Sequence, residues 1–182
     1  LIELCPSKVI GVTGSDGKTT TTTLIYKMLC EEGYHCYLGG NIGTPLFAEI
    51  DKMLPEDIIV LELSSFQLMT LKKSPHISIV TNVTPNHLDV HKSYEEYIES
   101  KKNIFAYQSA EDVVVLNYDN DITRAFAEVA KGNTKAASYI AKSRDSNVVG
   151  FRSYYSTFCD DMYKNPDESL DMNLNRRLFT DY

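Results

Sequence analysis

A glycine-rich run at residues 11–20, GVTGSDGKTT, directly follows the apolar pair Val9 and Ile10. A strand that passes through a glycine turn into a helix brings backbone N–H groups and the positive end of the helix to one point. Lys18 adds an ammonium group there, so the order strand, turn and helix predicts a site for a phosphate chain. The plainer alternative is a glycine turn that caps an ordinary helix, with Lys18 in solvent.

The usual phosphate loop carries glycine six residues before its lysine, and this sequence has Val12 there. The glycines that remain allow positive φ angles and a close approach of the backbone to phosphate oxygens. Lys18 is expected to neutralise charge on the β- and γ-phosphates, and Thr19 to bind Mg²⁺. The residues expected to bind the nucleotide are Gly14, Ser15, Asp16, Gly17, Lys18, Thr19 and Thr20.

Composition narrows the class of protein. The 182 residues are 43% hydrophobic and carry a net charge of -7, which suits one buried core and argues against nucleic-acid binding, since that requires a basic face. The four cysteines form no CxxC pair, as is typical of thiols in a reducing cytoplasm. No apolar run reaches membrane-spanning length. We therefore expect a cytoplasmic protein without membrane insertion, and we expect it to be a monomer.

Short apolar runs alternate with amphipathic stretches of helical period, which is typical of βαβ units. The predicted strands are residues 9–13, 36–38, 58–63, 77–81 and 113–116. The predicted helices are residues 20–32, 93–107 and 122–130. The pattern predicts an α/β fold with a mostly parallel sheet and flanking helices.

Polar residues lie where the predicted strands end, which is where open parallel sheets bind their ligands. Glu62 ends one strand and is suited to holding Mg²⁺, and His87 follows another and is suited to a second ion or an anionic substrate. Each has a plainer interpretation, as a helix-capping carboxylate and as a turn histidine. Asn41 can likewise occupy a left-handed turn, and Lys101 can be a solvated helix residue.

Five segments, GSDGKTTTTT, GGNIGTP, LELSSFQL, TNVTPNHLDVH and YIESKKNIF, occur in the order and approximate spacing of the Mur ligases. These are ATP-dependent amide-bond-forming enzymes of peptidoglycan synthesis, and the chain resembles their P-loop central domain from about residue 10 to residue 117. LELSSFQL with GGNIG most resembles the members that join D-glutamate to UDP-N-acetylmuramoyl-L-alanine. The family's shorter TGxxGKT loop also accounts for Val12. The alternatives are another muramyl peptide ligase, a folylpolyglutamate synthase or a non-catalytic nucleotide-binding module.

The resemblance implies an ATP site with two Mg²⁺ ions. Lys18 and the loop amides correspond to groups that bind the ATP phosphates, while Thr19 and Glu62 serve the first Mg²⁺. His87 and Lys101 serve the second, and Lys101 lies where the family carries a lysine carbamylated by CO₂. Lys18, His87 and Lys101 are therefore the implied catalytic residues.

The same resemblance implies the substrate contacts and the reaction. Asn41, Ser64 and His87 lie where the family contacts the muramoyl substrate. The alanyl carboxylate attacks the γ-phosphate of ATP, and the amine of D-glutamate then displaces phosphate from the resulting acyl phosphate. Lys102 adjoins Lys101, so a shift of one residue is the alternative for the carbamylated lysine.

The resemblance also implies a domain organisation. Residues 1–145 correspond to the central ATP-binding domain, truncated at its carboxyl end, where the family's histidine–asparagine segment is missing. Residues 146–182 are expected to form a tail of unknown structure, since residues 151–182 show no clear helical or strand period. The N-terminal uridine-nucleotide-binding domain and the C-terminal ligase domain of complete enzymes are also missing. We expect the chain by itself to bind ATP and Mg²⁺ without completing the ligation.

Overall fold

The structure is a computed structural model, and it describes residues 1–43, 45–85 and 91–137. Its strands are β1 (Lys8–Thr13), β2 (Cys36–Gly40), β3 (Ile58–Glu62), β4 (Ile77–Val80), β5 (Val113–Asn117) and β6 (Asn133–Ala137). Its helices are α1 (Lys18–Glu31), α2 (Ser65–Met69), α3 (Tyr94–Ala106) and α4 (Asp121–Phe126), with a 3₁₀ helix at Leu46–Lys52.

The six strands of the described residues form one parallel sheet in the order β2-β3-β1-β4-β5-β6. The α/β fold with a parallel sheet and flanking helices is therefore confirmed. In the register of the sheet, Val12 lies opposite Glu62 on one side of β1, and Thr13 lies opposite Val80 on the other. The loop after β1 consequently starts between the carboxyl ends of β3 and β4.

The sheet is buried on both faces, as expected for a parallel sheet covered by helices. Four successive residues of β3, from Ile59 to Glu62, are at most 2% exposed. Helix α3 contributes Tyr97, Ile104 and Phe105 to the main hydrophobic cluster. Burial of each large apolar side chain of this kind stabilises a fold by about 1.5–3 kcal/mol, so α3 is firmly fixed beside the sheet.

Glycine sets both ends of α1. Gly17 caps its amino end with φ 77°, a left-handed conformation, and no side chain caps the first turn. At the other end Gly33 has φ 89°, and the N–H groups of Gly33 and Tyr34 donate to the carbonyls of Cys30 and Leu29. This paired bonding after a left-handed glycine is the Schellman ending, and it satisfies the last carbonyls of the helix. The predicted end of this helix at Gly33 is confirmed.

Two side chains cap the start of α3. The Ser93 hydroxyl accepts from the Glu96 N–H at 3.2 Å, as a helix cap should. The Glu96 carboxylate, however, accepts from the N–H of Lys92 at 2.6 Å, so the cap is extended by one residue toward the amino end.

Three elements of the structure were not predicted, namely the 3₁₀ helix, α2 and β6, and α4 is shorter than predicted. The domain boundary near residue 145 and the tail lie outside the described residues. Cys5, Cys30 and Cys36 are free thiols, and Cys159 lies outside the described part. Among the described residues, no helix combines the length and the apolar character needed to cross a membrane.

Candidate functional site

The phosphate loop, residues 14–17, joins β1 to α1, and two of its glycines are required for different reasons. A Cβ atom on Gly14 would lie 1.8 Å from the Thr81 hydroxyl oxygen, so only glycine fits against β4. Gly17 faces open space, but its φ of 77° is one that side chains disfavour. Because no side chain caps α1, the N–H groups of its first turn remain directed at the space in front of the loop.

Lys18 lies across this loop. Its Nζ donates to the carbonyls of Gly14 and Ser15, each at 3.0 Å. The ammonium group is therefore held at the amino end of α1, where its charge adds to the positive end of the helix dipole. The predicted grouping of an ammonium group, glycine turn and helix start is present.

Glu62 is the centre of a second cluster, and it is only 1% exposed. Thr19 donates its hydroxyl to Glu62 Oε2 at 2.7 Å, and the Asn41 side-chain amide donates to Oε1 at 2.9 Å. The backbone N–H of Asn41 also donates to the Glu62 carbonyl at 2.8 Å. The structure thus brings together three residues that lie on α1, directly after β2 and at the end of β3.

The oxygen atoms of Glu62 and Thr19 are suitable ligands for a magnesium ion. A carboxylate and a hydroxyl are hard oxygen ligands, and none of the ion pairs between described residues involves Glu62. The described part of the chain contains no group of three or more His, Cys, Asp or Glu side chains that could hold a metal. An ion beside Glu62 would therefore take most of its ligands from water and phosphate, as Mg²⁺ commonly does.

Lys101 approaches the loop from α3 and is 1% exposed. Its Nζ donates to the Gly14 carbonyl at 3.0 Å and to the Thr13 hydroxyl at 3.5 Å, and it lies 4.6 Å from the centre of the Tyr97 ring. Burial, with a smaller contribution from the charge of Lys18, lowers the pKa of Lys101 to about 7. A substantial fraction of the Lys101 side chains is consequently a neutral, nucleophilic amine near neutral pH.

The neighbouring lysine does not share this environment. Lys102 forms an ion pair with Glu99 on the same helix, and its Nζ lies 5.6 Å from the centre of the Phe126 ring. Lys101 is therefore the lysine that α3 presents to the phosphate loop.

The other predicted site residues have no described contact with Lys18, Glu62 or Lys101. Ser64 caps α2, accepting from the Gln67 N–H and donating to the Gln67 side chain. Thr20 lies exposed in the first turn of α1. His87 lies outside the described residues.

Two residues that the sequence reasoning left without a role also contact the loop. The Tyr97 hydroxyl shares a 3.0 Å hydrogen bond with the hydroxyl of Ser15, and Asn82 accepts from two loop amides. Tyr97 precedes Lys101 by one helical turn, so the two lie on the same face of α3. The four-residue spacing of Tyr97 and Lys101 is visible in the sequence and could have indicated that Tyr97 also faces the loop. The contacts of Asn82 could not be predicted in this way, because they depend on the pairing of β1 with β4.

These groups can bind one kind of ligand in particular. The ammonium group of Lys18, the free amides of α1 and an oxygen pair suited to Mg²⁺ converge at the carboxyl edge of the sheet, beside β1 and the partly protonated amine of Lys101. A chain of phosphates carries the negative charge that such an arrangement neutralises, and it brings oxygen ligands for the metal. The geometry therefore favours a nucleoside triphosphate with Mg²⁺.

The chain resembles known proteins over most of its length. A family model described as the Mur ligase middle domain matches residues 12–176. The UDP-N-acetylmuramoylalanine–D-glutamate ligase of Acetivibrio thermocellus is 68% identical over 131 residues, which are 72% of this chain and 28% of that protein. The chain thus spans about three tenths of the length of the curated relatives it matches.

Two solved structures share the fold. A UDP-N-acetylmuramoyl-L-alanyl-D-glutamate–2,6-diaminopimelate ligase aligns with a TM-score of 0.60 at 22% identity, over 76% of this chain and 33% of that one. A MurF ligase from Thermotoga maritima in complex with ADP aligns with a TM-score of 0.58 at 24% identity, over 75% of this chain and 34% of that one.

Proposed function

The chain belongs to the Mur ligase family, and on this basis we propose that it is the ATP-binding central domain of a ligase that adds D-glutamate to UDP-N-acetylmuramoyl-L-alanine. The 68% identity to a ligase of that name supports the choice of substrates. The observation that carries the proposal is the cluster of Lys18, Thr19 and Glu62 at the carboxyl edge of the sheet.

The reaction needs placement and charge neutralisation more than it needs a nucleophilic side chain. The alanyl carboxylate oxygen attacks the γ-phosphorus of ATP, and the bond from that phosphorus to the β–γ bridging oxygen breaks to release ADP. The amine of D-glutamate then attacks the acyl carbon, loses a proton, and phosphate leaves with the carbon–oxygen bonding pair. Lys18 and the amides at the start of α1 hold the phosphates in line and stabilise the charge that develops on them.

Magnesium supplies further positive charge, and Thr19 and Glu62 are the residues suited to hold it. His87 and Lys101 are proposed for a second ion. A bare ammonium group repels a cation, so this role requires that Lys101 be carbamylated. In that step the neutral Nζ attacks the carbon of CO₂, a C–O π pair moves to oxygen, and a proton passes from nitrogen to water. The buried position of Lys101 beside the loop supports this assignment.

Asn41, Ser64 and His87 are proposed to contact the muramoyl substrate. Asn41 has its side-chain amide anchored on Glu62, and Ser64 lies two residues beyond Glu62. A substrate held by these residues would therefore lie next to the proposed magnesium site.

A ligation assay on the natural gene product that contains this sequence tests the proposal. ATP, Mg²⁺ and UDP-N-acetylmuramoyl-L-alanine are incubated in turn with D-glutamate, L-glutamate and meso-diaminopimelate, with folate and L-glutamate as a separate pair. We expect ADP release and an increase in product mass with D-glutamate alone. Product with another pair would assign a different ligase activity, and ATP binding without any product would favour a non-catalytic module.

Carbamylation has its own test. ¹³C NMR of the protein in ¹³C-bicarbonate should show a carbamate signal that Lys101→Ala removes and the matched variant Lys102→Ala retains. A signal that persists in Lys101→Ala, or its absence from the wild-type protein, would contradict the assignment.

A further inference from the structure

The carboxyl end of β4 holds the first half of the phosphate loop. The Asn82 side-chain oxygen accepts from the N–H of Ser15 at 3.0 Å and from the N–H of Asp16 at 2.8 Å. The Asn82 carbonyl also accepts from Ser15 N–H at 3.0 Å. One asparagine therefore satisfies two successive loop amides.

Thr81, the residue before Asn82, holds the same part of the loop through hydrogen bonds to backbone carbonyls. Its hydroxyl donates to the Asp16 carbonyl at 2.6 Å, and its N–H donates to the Thr13 carbonyl at 2.9 Å. This hydroxyl is also the atom that excludes a Cβ from Gly14. Thr81 and Asn82 together form a clamp that determines the conformation of residues 14–16.

The clamp changes which groups are available to phosphate. In an open anion-binding nest, successive backbone N–H groups converge on the anion. Here the N–H groups of Ser15 and Asp16 already donate to a neutral amide oxygen, so phosphate is left to the amides at the start of α1 and to the ammonium group of Lys18. The positions of those donors depend on the shape of the preceding loop.

We propose that Asn82 is a positioning residue for ATP, because its carboxamide oxygen holds the loop in the binding conformation before the nucleotide arrives. This inference rests on the proposed function, since it concerns the same nucleotide site. A neutral acceptor suits the role, because a carboxylate at this place would repel the phosphates while making the same two hydrogen bonds. Preordering the loop removes a conformational entropy loss that binding would otherwise incur.

The test uses Asn82→Ala, with Asn103→Ala as the matched control. Asn103 is a half-buried asparagine on α3 whose side chain donates to the Leu68 carbonyl, so its replacement also deletes a carboxamide hydrogen bond, but not one to the loop. Calorimetric titration with ATP and Mg²⁺ should show about tenfold weaker binding for Asn82→Ala and unchanged binding for Asn103→Ala, at similar losses of melting temperature. Equal affinities of wild type and Asn82→Ala would overturn the inference.

Amide hydrogen exchange, measured without nucleotide, reports on the two loop amides individually. It therefore distinguishes a local opening of the loop from a general loss of stability. Exchange at Ser15 and Asp16 should be slow in the wild type and in Asn82→Asp, which keeps the acceptor, and fast in Asn82→Ala. Asn82→Asp should nevertheless bind ATP more weakly than the wild type. Rapid exchange of both amides in the wild type or in Asn82→Asp would show that Asn82 does not hold the loop. If Asn82→Ala does not fold, the exchange rates and ATP affinity of Asn82→Asp still test the proposal.

Failure of the inference and failure of the proposed function are distinguishable. If the wild type binds no ATP, the proposed function falls, and the inference with it. If the wild type binds ATP and Asn82→Ala binds it equally well, only the role of Asn82 is wrong.

Discussion

Replacing Lys101 with methionine should make the folded chain more stable at neutral pH, although Lys101 belongs to the proposed site. Lys101 is 1% exposed, and burial lowers its pKa from 10.5 to about 7. That difference corresponds to roughly 4 kcal/mol of destabilisation at pH 7, because folding must overcome the preference of the amine for its proton. Methionine keeps the length and apolar stem but loses the hydrogen bond to Gly14, whose carbonyl retains the Lys18 donor. We expect a net gain of about 2–3 kcal/mol.

The pH dependence identifies the cause. Between pH 7 and pH 10 the unfolded chain binds up to one proton more than the folded chain at Lys101, so the stability of the wild type should rise with pH there. From pH 7 to pH 9 the rise due to Lys101 is about 2 kcal/mol, and Lys101→Met should lack it. Urea unfolding in buffers free of CO₂ and Mg²⁺ measures both quantities, with Lys102→Met as the control, since Lys102 is ion-paired with Glu99. Equal pH slopes for wild type and Lys101→Met, with no gain at pH 7, would show that burial of Lys101 does not destabilise the fold.

Three further predictions concern other parts of the chain. The Nδ1 atom of His76 accepts from the N–H of Val9, and burial lowers the pKa of His76. The neutral imidazole therefore stabilises the fold above about pH 6.5, and this contribution is lost as the pH falls below 6.5. His76→Asn keeps an acceptor without titrating, and the acid-induced shift of its urea midpoint should be smaller than in the wild type, whereas an unchanged shift would exclude His76 as the cause. Gly14→Ala should lower stability by at least about 2 kcal/mol in thermal unfolding, because its Cβ would meet the Thr81 hydroxyl at 1.8 Å, and a neutral result would contradict the tight approach to β4. Glu62→Gln should lose most of the gain in ATP affinity that Mg²⁺ produces while keeping metal-free binding, and an undiminished Mg²⁺ effect in titrations would remove Glu62 from the metal site.

Much of the fold was predictable because parallel strands that are buried on both faces have nearly continuous apolar sequences. The runs at β1, β3, β4 and β5 are of this kind, and each was predicted within two residues of its observed bounds. The missed strand β6, NTKAA, contains no large apolar residue and forms the end of the described sheet. Helix α2 has five residues, too few for a helical period to appear. Such short and polar elements are defined by their tertiary partners, which the sequence does not display.

The site was predictable to a similar degree. The strand-end rule selected Glu62, and the phosphate-loop pattern selected Lys18 and Thr19, which the structure places around one space. Asn82 also follows a strand, but its role depends on which strand lies beside β1. That order, β2-β3-β1-β4-β5-β6, is a property of the folded sheet and does not follow from the spacing of residues along the chain.

Calorimetric titration of the 182-residue chain with ATP in the presence of Mg²⁺ determines whether the nucleotide binds at the phosphate loop. We expect one binding site in the wild type, loss of binding in Lys18→Ala, and wild-type binding in Lys73→Ala, since Lys73 precedes β4 and lies toward the opposite edge of the sheet. Undiminished ATP binding by Lys18→Ala would show instead that the nucleotide binds elsewhere on the molecule.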